Sequence, residues 1–495
     1  MTENKKTDFE LACEKMLKRH SLDHLRAYGR KVGVDNPTEK NKQPLIEGII
    51  DVLMGRVEPE PFPKRGAPIK SDYYDPQIDK DVNSYRMIYA SSFVSNMKEY
   101  GGTTEEGVAM MEKFRKTLGT PSFTIKVKSP DLERVEDGPL QAQLERIEGV
   151  PFLIPLDGDR DGFKIVVSEE QIAKYSLREG DVVNCAVRVE RGVFLVDTVL
   201  EINGKEAAEL ERFSFDEEDV YPPVKKISLL SGSPNDPAMK YLDWFIPIGE
   251  GQRCLIVSPP KAGKTSFLKS IALSLSKTEE YETYCLLVEQ SPETASVFRQ
   301  IFPTENFAAT TYEDDPSKHV FTADFLLKRA KRAAETGKNV VLLVDGMNAL
   351  AEAANELLPV DEAKRPVAGL EMSAVRYIKK FFVSARNFAR PGSLTIIATA
   401  TLTGGNPITD FITAELQEMA NCRVVLCDEF ALKRIYPAVD LLRSGTDQSF
   451  ELLGEESGAG EYRMRGKLLP ALGKERIHEL ILLSKTVEEF FEKAK

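Results

Sequence analysis

The residues with the clearest capacity for chemistry are Ser258-Pro259-Pro260-Lys261-Ala262-Gly263-Lys264-Thr265. An apolar run, Leu255-Ile256-Val257, precedes them and a helical pattern follows, so the order reads strand, loop, helix. In such a loop the backbone N–H groups at the helix N-terminus cradle phosphates, Lys264 reaches the outer phosphates and the Thr265 hydroxyl can ligate magnesium. The usual pattern begins with Gly where this chain has Ser258. The stretch predicts a nucleoside triphosphate site, and the alternative is a strand-turn-helix with a chance Gly-Lys-Thr.

A second apolar run, Val340-Val341-Leu342-Leu343-Val344, ends in Asp345. A carboxylate at the end of a buried strand is what a phosphate-loop fold needs as its second magnesium-directed group. A lone Asp at a strand end can also simply cap a turn. Its occurrence together with Lys264 and Thr265 favours the metal role, with Thr265 and Asp345 serving Mg²⁺.

Length and composition predict a multidomain globular protein. The chain has 495 residues, 42% hydrophobic and 29% charged, enough for two to four domains. It contains neither a run of eighteen apolar residues nor a signal-type N-terminus, so we expect a cytoplasmic protein with no membrane partner. The formal net charge of -12 means that any grip on nucleic acid must come from a local patch.

Cysteines and histidines give no sign of a metal site. The six cysteines show no Cys-x-x-Cys pairing, several lie in apolar runs, and we expect buried thiols rather than disulfides or metal ligands. The histidines are scattered. The residues are Cys13, Cys185, Cys254, Cys285, Cys422, Cys427, His20, His24, His319 and His478.

The pattern along the chain divides it into four parts. Residues 1–56 read as a helical module, and prolines from Pro59 onward start a linker over 57–134 that contains two further helical patterns, at 83–100 and 104–118. Residues 135–206 carry short alternating strands, predicting a five-stranded barrel of the oligonucleotide-binding class. From 207 to 495 strands and helices alternate as in a parallel sheet.

The predicted barrel offers few groups for binding RNA. Barrels of this class bind single strands by stacking bases on exposed aromatic rings beside basic groups. Phe152 and Tyr175 are the candidate rings, with Lys164 nearby. Either ring can equally belong to the barrel core.

Taken together, the motifs closely resemble the family of the bacterial transcription termination factor Rho, ring-shaped RNA-dependent ATPases. The resemblance covers the region from 207 almost end to end, and the helical start and the barrel match the family's domain order. The residues that carry it are Pro247 to Arg253, Pro259 to Thr265, Gly392 to Ala400, Lys433 to Asp440, Arg443 to Thr446 and Thr486 to Phe491. It implies a RecA-like P-loop domain, a barrel of the oligonucleotide-binding or cold-shock type, and self-association as a hexameric ring or open helix.

The same resemblance assigns site residues. It implies that ATP is surrounded by Gly249, Glu250, Gly251, Gln252, Arg253, Cys254, Lys261, Ala262, Gly263, Lys264, Thr265 and Ser266. Tyr436 matches an aromatic that packs on adenine, and Gly404 and Gly405 lie in the loop that contacts RNA.

Several positions depart from the family pattern. The Glu that polarises the attacking water is replaced by Gln290, and the arginine that a neighbouring subunit supplies is replaced by Asp447. An amide cannot take a proton as a carboxylate does, and an anion opposes the charge that develops on the phosphate. Two further arginines and the lysine of the RNA loop are also replaced, by Ala349, Glu352 and Pro407.

Two functions follow as hypotheses. The first is an RNA-dependent ATPase and helicase that terminates transcription, with the missing roles met by residues such as Glu289, Arg443 or Lys433. The second is a non-hydrolysing paralogue that binds ATP and Mg²⁺, assembles, and regulates a true Rho factor or contacts RNA polymerase. The substitutions at Gln290 and Asp447 predict weak or absent hydrolysis and weak RNA binding. A hexameric helicase outside transcription is a third possibility.

Overall fold

The computed structural model describes residues 8–53, 57, 78, 140–147, 150–156, 164–190, 193–357 and 370–495. Nearly all of the linker predicted over 57–134, with its two helical patterns, lies outside these residues. At the N-terminus are helices α1 (Asp8–Leu17), α2 (Leu22–Val32) and α3 (Lys42–Leu53). Ser21 caps α2 by accepting a hydrogen bond from the backbone N of His24 at 3.2 Å, as Ser does at helix starts. Leucine, isoleucine and valine side chains of the three helices share one core.

The predicted β-barrel is confirmed, with one short strand more than expected. Its order is β3-β2-β1-β4-β5-β6, and a parallel pairing of Val166 with Leu195 joins β3 to β5 and closes the barrel. Ala142, Leu144 and Leu153 face the interior, as alternation along a strand requires. The elements are β1 (Leu140–Ile147), β2 (Val150–Pro155), β3 (Ile165–Val166), α4 (Glu169–Tyr175), β4 (Val182–Glu190), β5 (Val193–Ile202) and β6 (Lys205–Glu206).

The parallel sheet predicted beyond residue 207 is also confirmed. Its order is β10-β9-β11-β13-β8-β14-β15, and all of these pairs are parallel except the last. In addition, β12 pairs antiparallel with the start of β13, and β7 pairs antiparallel with β12. The strands are β7 (Val220–Tyr221), β8 (Arg253–Ser258), β9 (Glu282–Gln290), β10 (Phe307–Thr311), β11 (Asn339–Asp345), β12 (Arg386–Phe388), β13 (Ser393–Thr401), β14 (Cys422–Val425) and β15 (Gly445–Thr446).

Helices cover both faces of this sheet, because its central strands are apolar on both sides and must be buried on both. One core packs α5, α6 and the C-terminal helices on the sheet, and the other packs α8, α9 and α10. The helices are α5 (Pro237–Phe245), α6 (Lys264–Leu275), α7 (Pro292–Arg299), α8 (Pro316–Glu335), α9 (Met347–Glu356), α10 (Met372–Phe382), α11 (Pro407–Met419), α12 (Asp428–Leu432), α13 (Ser449–Arg463), α14 (Leu469–Leu472), α15 (Lys474–Leu483) and α16 (Val487–Lys493), with a 3-10 turn over Thr304–Asn306 and a π turn over Met464–Leu468.

The barrel is docked on α8 of the sheet domain. Ile154 packs against Phe325, and Lys328 Nζ donates to Glu145 Oε2 and to Glu179 Oε2, both at 2.6 Å. The barrel and α8 approach each other closely at Gly180, because a side-chain carbon there would lie 2.6 Å from the backbone carbonyl carbon of Lys328. The outer face of β1 and β2 is therefore the face that meets the sheet domain.

All six cysteines are free and buried, which agrees with the prediction of buried thiols. Across the described residues no group of three or more His, Cys, Asp or Glu side chains is placed to hold a metal ion. No helix in the described part of the chain is both long and apolar enough to cross a bilayer.

Candidate functional site

The phosphate loop joins the end of β8 to the start of α6. Lys261 and Gly263 both have positive φ, +63° and +97°, so the loop turns twice through the left-handed region that glycine tolerates best. Gly263 precedes α6 and gives it no side-chain cap. The first N–H groups of α6 are thus left to an anionic ligand, which a helix N-terminus favours.

Asp345 gathers the other polar groups of the site. It is fully buried and accepts hydrogen bonds from Thr265 Oγ1 at 2.7 Å and from Thr399 Oγ1 at 2.6 Å. Lys264 Nζ forms an ion pair with its Oδ1 at 3.2 Å. The structure therefore brings together Lys264, Thr265 and Asp345, the three residues that the sequence singled out.

These groups fit a magnesium ion bound with a nucleotide. Mg²⁺ prefers oxygen ligands and usually takes one or two from the protein and the rest from phosphates and water. A threonine hydroxyl and a carboxylate 2.7 Å apart, at the mouth of a phosphate loop, are such a pair. Thr265 and Asp345 would hold the ion, whose charge would offset that of the phosphates.

Thr399 is a member of this cluster that the sequence interpretation missed. Its hydroxyl donates to Asp345 and accepts from the backbone N of Gly346 at 3.2 Å, so it fixes the carboxylate and the first turn after β11 together. The available signal was a threonine near the end of an otherwise apolar strand, two residues before Thr401.

Tyr436 lies beside the loop, as the resemblance implies. Its ring is 45% exposed, and a side-chain carbon at Gly263 would lie 3.4 Å from it. An exposed ring in contact with the phosphate loop can stack on a base. The positive φ of Gly263, and not the space beside the ring, is what favours glycine at this position.

Residues 249–254 are not brought to the phosphate loop. They precede and begin β8, and the loop follows its end, so the strand separates them by about 16 Å. They have structural partners there: Gly249 N donates to Gln252 Oε1 at 2.6 Å, and Glu250 accepts from Tyr281 Oη at 3.1 Å. The glycine-rich pattern here forms a tight turn before a strand. Within one chain, the loop residues 261–266 alone form the predicted cradle.

The two substituted catalytic positions lie in different places. Gln290 ends β9 at the same edge as Asp345, but its Nε2 donates back to the Val288 carbonyl at 3.2 Å. Asp447 follows β15 near the start of β8, where its carboxylate opposes the lowering effect of burial on the pKa of Arg253. Asp447 is therefore far from the phosphate loop of its own chain.

The two positions on α9 where the family resemblance implies arginine carry one neutral and one acidic residue. Ala349 and Glu352 lie in the first two turns after Asp345. Burial raises the pKa of the Glu352 carboxyl, and the carboxylates of Glu289 and Glu356 raise it further. At position 352 a carboxyl group thus stands where the family resemblance implies a cation, and at position 349 the cation is simply absent.

The predicted RNA loop lies at the same edge of the sheet, between β13 and α11. Gly404 and Gly405 are exposed, and Asp410 Oδ1 accepts from the backbone N of Thr403 at 2.7 Å and of Gly404 at 3.2 Å. Pro407 begins α11. The loop is held by its own hydrogen bonds and presents backbone groups and no cation.

In the barrel, the candidate stacking rings are less accessible than the sequence interpretation required. Phe152 is only 3% exposed, because it shares the outer face of β2 with Ile154, which packs against α8. Lys164 Nζ lies 6.0 Å from its ring centroid. Tyr175 is half-buried and packs against the barrel core. Phe152 is therefore not an open platform, and Tyr175 offers one side of its ring at most.

With this geometry in place, comparisons with known proteins show the relationship. The model of the ATP synthase alpha/beta family, nucleotide-binding domain, matches residues 238–446. Transcription termination factor Rho 1 of Ehrlichia chaffeensis is 33% identical over 345 residues, 67% of this chain and 81% of that protein. The Rho protein of Bacillus subtilis is 32% identical over 70% of this chain and 82% of that protein. The Rho protein of Escherichia coli K12 is 32% identical over 67% of this chain and 81% of that protein. Among solved structures, the assembled ATPase EscN of the enteropathogenic E. coli type III secretion system aligns at 17% identity over 72% of this chain and 92% of that one, with a TM-score of 0.44.

Proposed function

This chain belongs to the transcription termination factor Rho family, and from that premise we propose that it is a cytoplasmic ATP- and RNA-binding protein that acts in transcription termination and hydrolyses ATP weakly or not at all. The observation that carries the proposal is the cluster of Lys264, Thr265 and Asp345 beside the phosphate loop. It combines a phosphate-binding cation with two oxygen ligands for Mg²⁺.

In the proposed complex each group has one task. Lys264 leaves Asp345 and contacts the outer phosphates, while Thr265 and Asp345 hold the ion. Tyr436 stacks on the adenine, and the open N–H groups of α6 bind the phosphates. Bound magnesium supplies charge neutralisation, and the chain's own residues orient the triphosphate.

The proposal of slow hydrolysis has two supports. The amide of Gln290 is turned to the Val288 carbonyl, and general-base help of about 10²- to 10⁴-fold is lost at that position. Asp447 would present an anion where an arginine contributes about 10³- to 10⁵-fold. A RecA-like domain that assembles into a hexameric ring or open helix would bring Asp447 to the neighbour's nucleotide.

RNA is the proposed polymer ligand, and we expect this protein to bind it weakly. The loop of Gly404 and Gly405 offers exposed backbone groups, and the barrel offers Lys164 and half of the Tyr175 ring. A net charge of -12 repels a phosphate backbone, so we expect weak binding.

The second candidate function is a non-hydrolysing paralogue that binds nucleotide, assembles, and regulates a true Rho factor, in contact with that factor or with RNA polymerase. The same two substitutions, Gln290 and Asp447, favour it. It differs from the first candidate in requiring no turnover at all.

A single-turnover assay separates the two. Purified chain is incubated with less than stoichiometric ATP and Mg²⁺, with and without polycytidylate, and ADP is measured over hours. Slow ADP formation supports the first candidate, and tight binding without ADP supports the second. Turnover at the rate of an ordinary motor would refute weak hydrolysis. Absence of ATP binding, with the Lys264→Ala variant as the reference for no binding, would refute both.

A further inference from the structure

The end of β9 is not a regular strand end. In its pairing with β10, Leu287 is opposite Ala309 and Gln290 is opposite Thr311. Two residues, Val288 and Glu289, therefore face the single residue Thr310. This is a β-bulge, a feature that re-aims side chains and is frequent beside active sites.

The backbone of Glu289 completes the bulge in an unusual conformation. Its φ is +53°, in the left-handed region that residues other than glycine, asparagine and aspartate seldom occupy. Such a conformation persists only where the surrounding structure imposes it, and residues of this kind cluster at functional sites.

Buried hydrogen bonds hold the bulge in place. The backbone N of Glu289 donates to Thr310 Oγ1 at 3.2 Å, and that oxygen lies 2.7 Å from Nδ1 of His319 on α8. Thr310 and His319 are both almost fully buried. The bulge is therefore fixed from two other elements and is not a frayed end.

At the bulge Glu289 and Gln290 are both half-buried, but the Gln290 amide is turned back to the carbonyl of Val288. Leu287 pairs with Asp345 on the neighbouring strand, so Glu289 lies two residues beyond the level of the proposed magnesium ligand. It lies at the edge of the sheet where Lys264 and Thr265 also lie.

We propose that Glu289 is the catalytic base of the residual hydrolysis, in the place that Gln290 cannot fill; this inference rests on the proposed function. In the step, a water oxygen forms a bond to the outermost phosphorus and a water proton passes to the Glu289 carboxylate. The bond from that phosphorus to the bridging oxygen breaks with its electron pair on ADP. Thr310 is a positioning residue, which acts by holding the backbone of Glu289.

The first test compares ADP formation in single turnover by the unmodified chain, Glu289→Gln and Glu293→Gln. Glu293 is an exposed glutamate four residues further on and is the matched control. We expect Glu289→Gln to lower the rate by about 100-fold, as loss of a general base does, and Glu293→Gln to leave it unchanged. ATP affinity, measured by calorimetry, should be unchanged in both.

The second test concerns positioning. Thr310→Val removes the hydroxyl at nearly constant volume and should lower the rate, and Thr310→Ser should restore it. The double variant Glu289→Gln/Thr310→Val should be no slower than Glu289→Gln alone, because the two residues act as one unit. A rate loss that adds to that of Glu289→Gln would show that Thr310 acts only through stability.

A third readout needs no nucleotide. Glycine occupies the left-handed region without strain, so Glu289→Gly should raise the thermal unfolding midpoint by about 1 °C or more relative to Glu289→Gln, although both lack the carboxylate. A midpoint that does not rise removes the geometric premise.

The outcomes separate this proposal from the function on which it rests. The role of Glu289 is overturned if the unmodified chain and Glu289→Gln form ADP equally fast, or if neither forms ADP above the protein-free rate. As long as the unmodified chain binds ATP, either of these results leaves the proposed function intact. Loss of ATP binding in the unmodified chain overturns the proposed function itself.

Discussion

The most informative perturbation of the site is Asp345→Asn, which changes charge with almost no change in shape. Asp345 accepts from Thr265 and Thr399 and pairs with Lys264. The Thr399 hydroxyl already accepts from Gly346, so its proton is committed to position 345. Because asparagine has only one acceptor oxygen, the Thr265 hydroxyl would face the amide nitrogen and would have to accept a hydrogen bond where it now donates one, and the ion pair with Lys264 would be lost.

The magnitude follows from the contacts. Removing one member of a buried ion pair costs about 3–5 kcal/mol, and a hydrogen bond to a charged group contributes about 1.5–3 kcal/mol. Two effects reduce the cost: the Lys264 side chain is 22% exposed and can turn to water, and a buried charge is neutralised. We expect the free energy of unfolding to fall by about 2–4 kcal/mol, measured by urea denaturation.

The functional effect concerns magnesium. Unmodified protein should bind ATP more tightly with Mg²⁺ than with EDTA, and Asp345→Asn should lose most of this difference, because one of the two proposed metal ligands, Thr265 and Asp345, is gone. Its affinity in EDTA should be no lower than that of the unmodified chain, since Lys264 is released. Titration of a fluorescent ATP analogue measures both ratios.

A matched control keeps stability apart from metal binding. Asp181 is also fully buried and charge-paired, with Arg212, but lies in the barrel. Asp181→Asn should lower stability and preserve the effect of Mg²⁺. If Asp345→Asn also preserved it, the assignment of Asp345 to the metal would be refuted.

Three further outcomes are expected. Burial lowers the pKa of His478 below 6.5, so the unfolded chain takes up a proton first and stability falls as pH drops below 6.5. Between pH 7.5 and pH 5.5, denaturation should show a smaller fall in the free energy of unfolding for His478→Gln than for the unmodified chain. Equal falls in the two proteins would contradict this. Tyr436→Ala should weaken ATP binding about tenfold, the effect of one stacked base, without weakening binding of inorganic tripolyphosphate; a matching loss for tripolyphosphate would argue against stacking. Gly180→Ala places a side-chain carbon 2.6 Å from Lys328 and should lower the melting temperature and expose the barrel to protease. The control Gly204→Ala is also at positive φ but has open space around it, so it should lose only the stability that a side chain costs in that backbone conformation. Equal effects would mean that the close contact at Lys328 does not matter.

The parts of this molecule that could be predicted from sequence are those set by local pattern. Apolar runs located the strands of the sheet, and Gly-Lys-Thr after one of them located the phosphate loop. Asp345 was predictable because a phosphate-loop fold needs a second magnesium-directed carboxylate at the end of a buried strand. Alternating residues likewise predicted the barrel.

The parts that could not be predicted depend on distant contacts. The packing of Ile154, which shares the outer face of β2 with Phe152, depends on α8, which lies more than 150 residues further along the chain. The bulge at Glu289 depends on pairing with Thr310, since a one-residue shift between strands leaves no mark in either sequence. Residues 249–254 were assigned to the ATP site by family resemblance, and only the folded backbone shows that β8 separates them from the phosphate loop of the same chain.

Helix α8 has a consequence for how this protein could be re-engineered. It is a 20-residue rod, about 30 Å long, whose first turns hold Thr310 through His319 and whose later turns, at Phe325 and Lys328, carry the barrel. The barrel and the proposed ATP site therefore both depend on contacts with α8. A chimaera that received a relative's barrel without the matching α8 would have a poorly packed interface between barrel and helix, and the change in α8 would reach the proposed ATP site through His319 and Thr310. The barrel and this helix therefore form the smallest exchangeable unit.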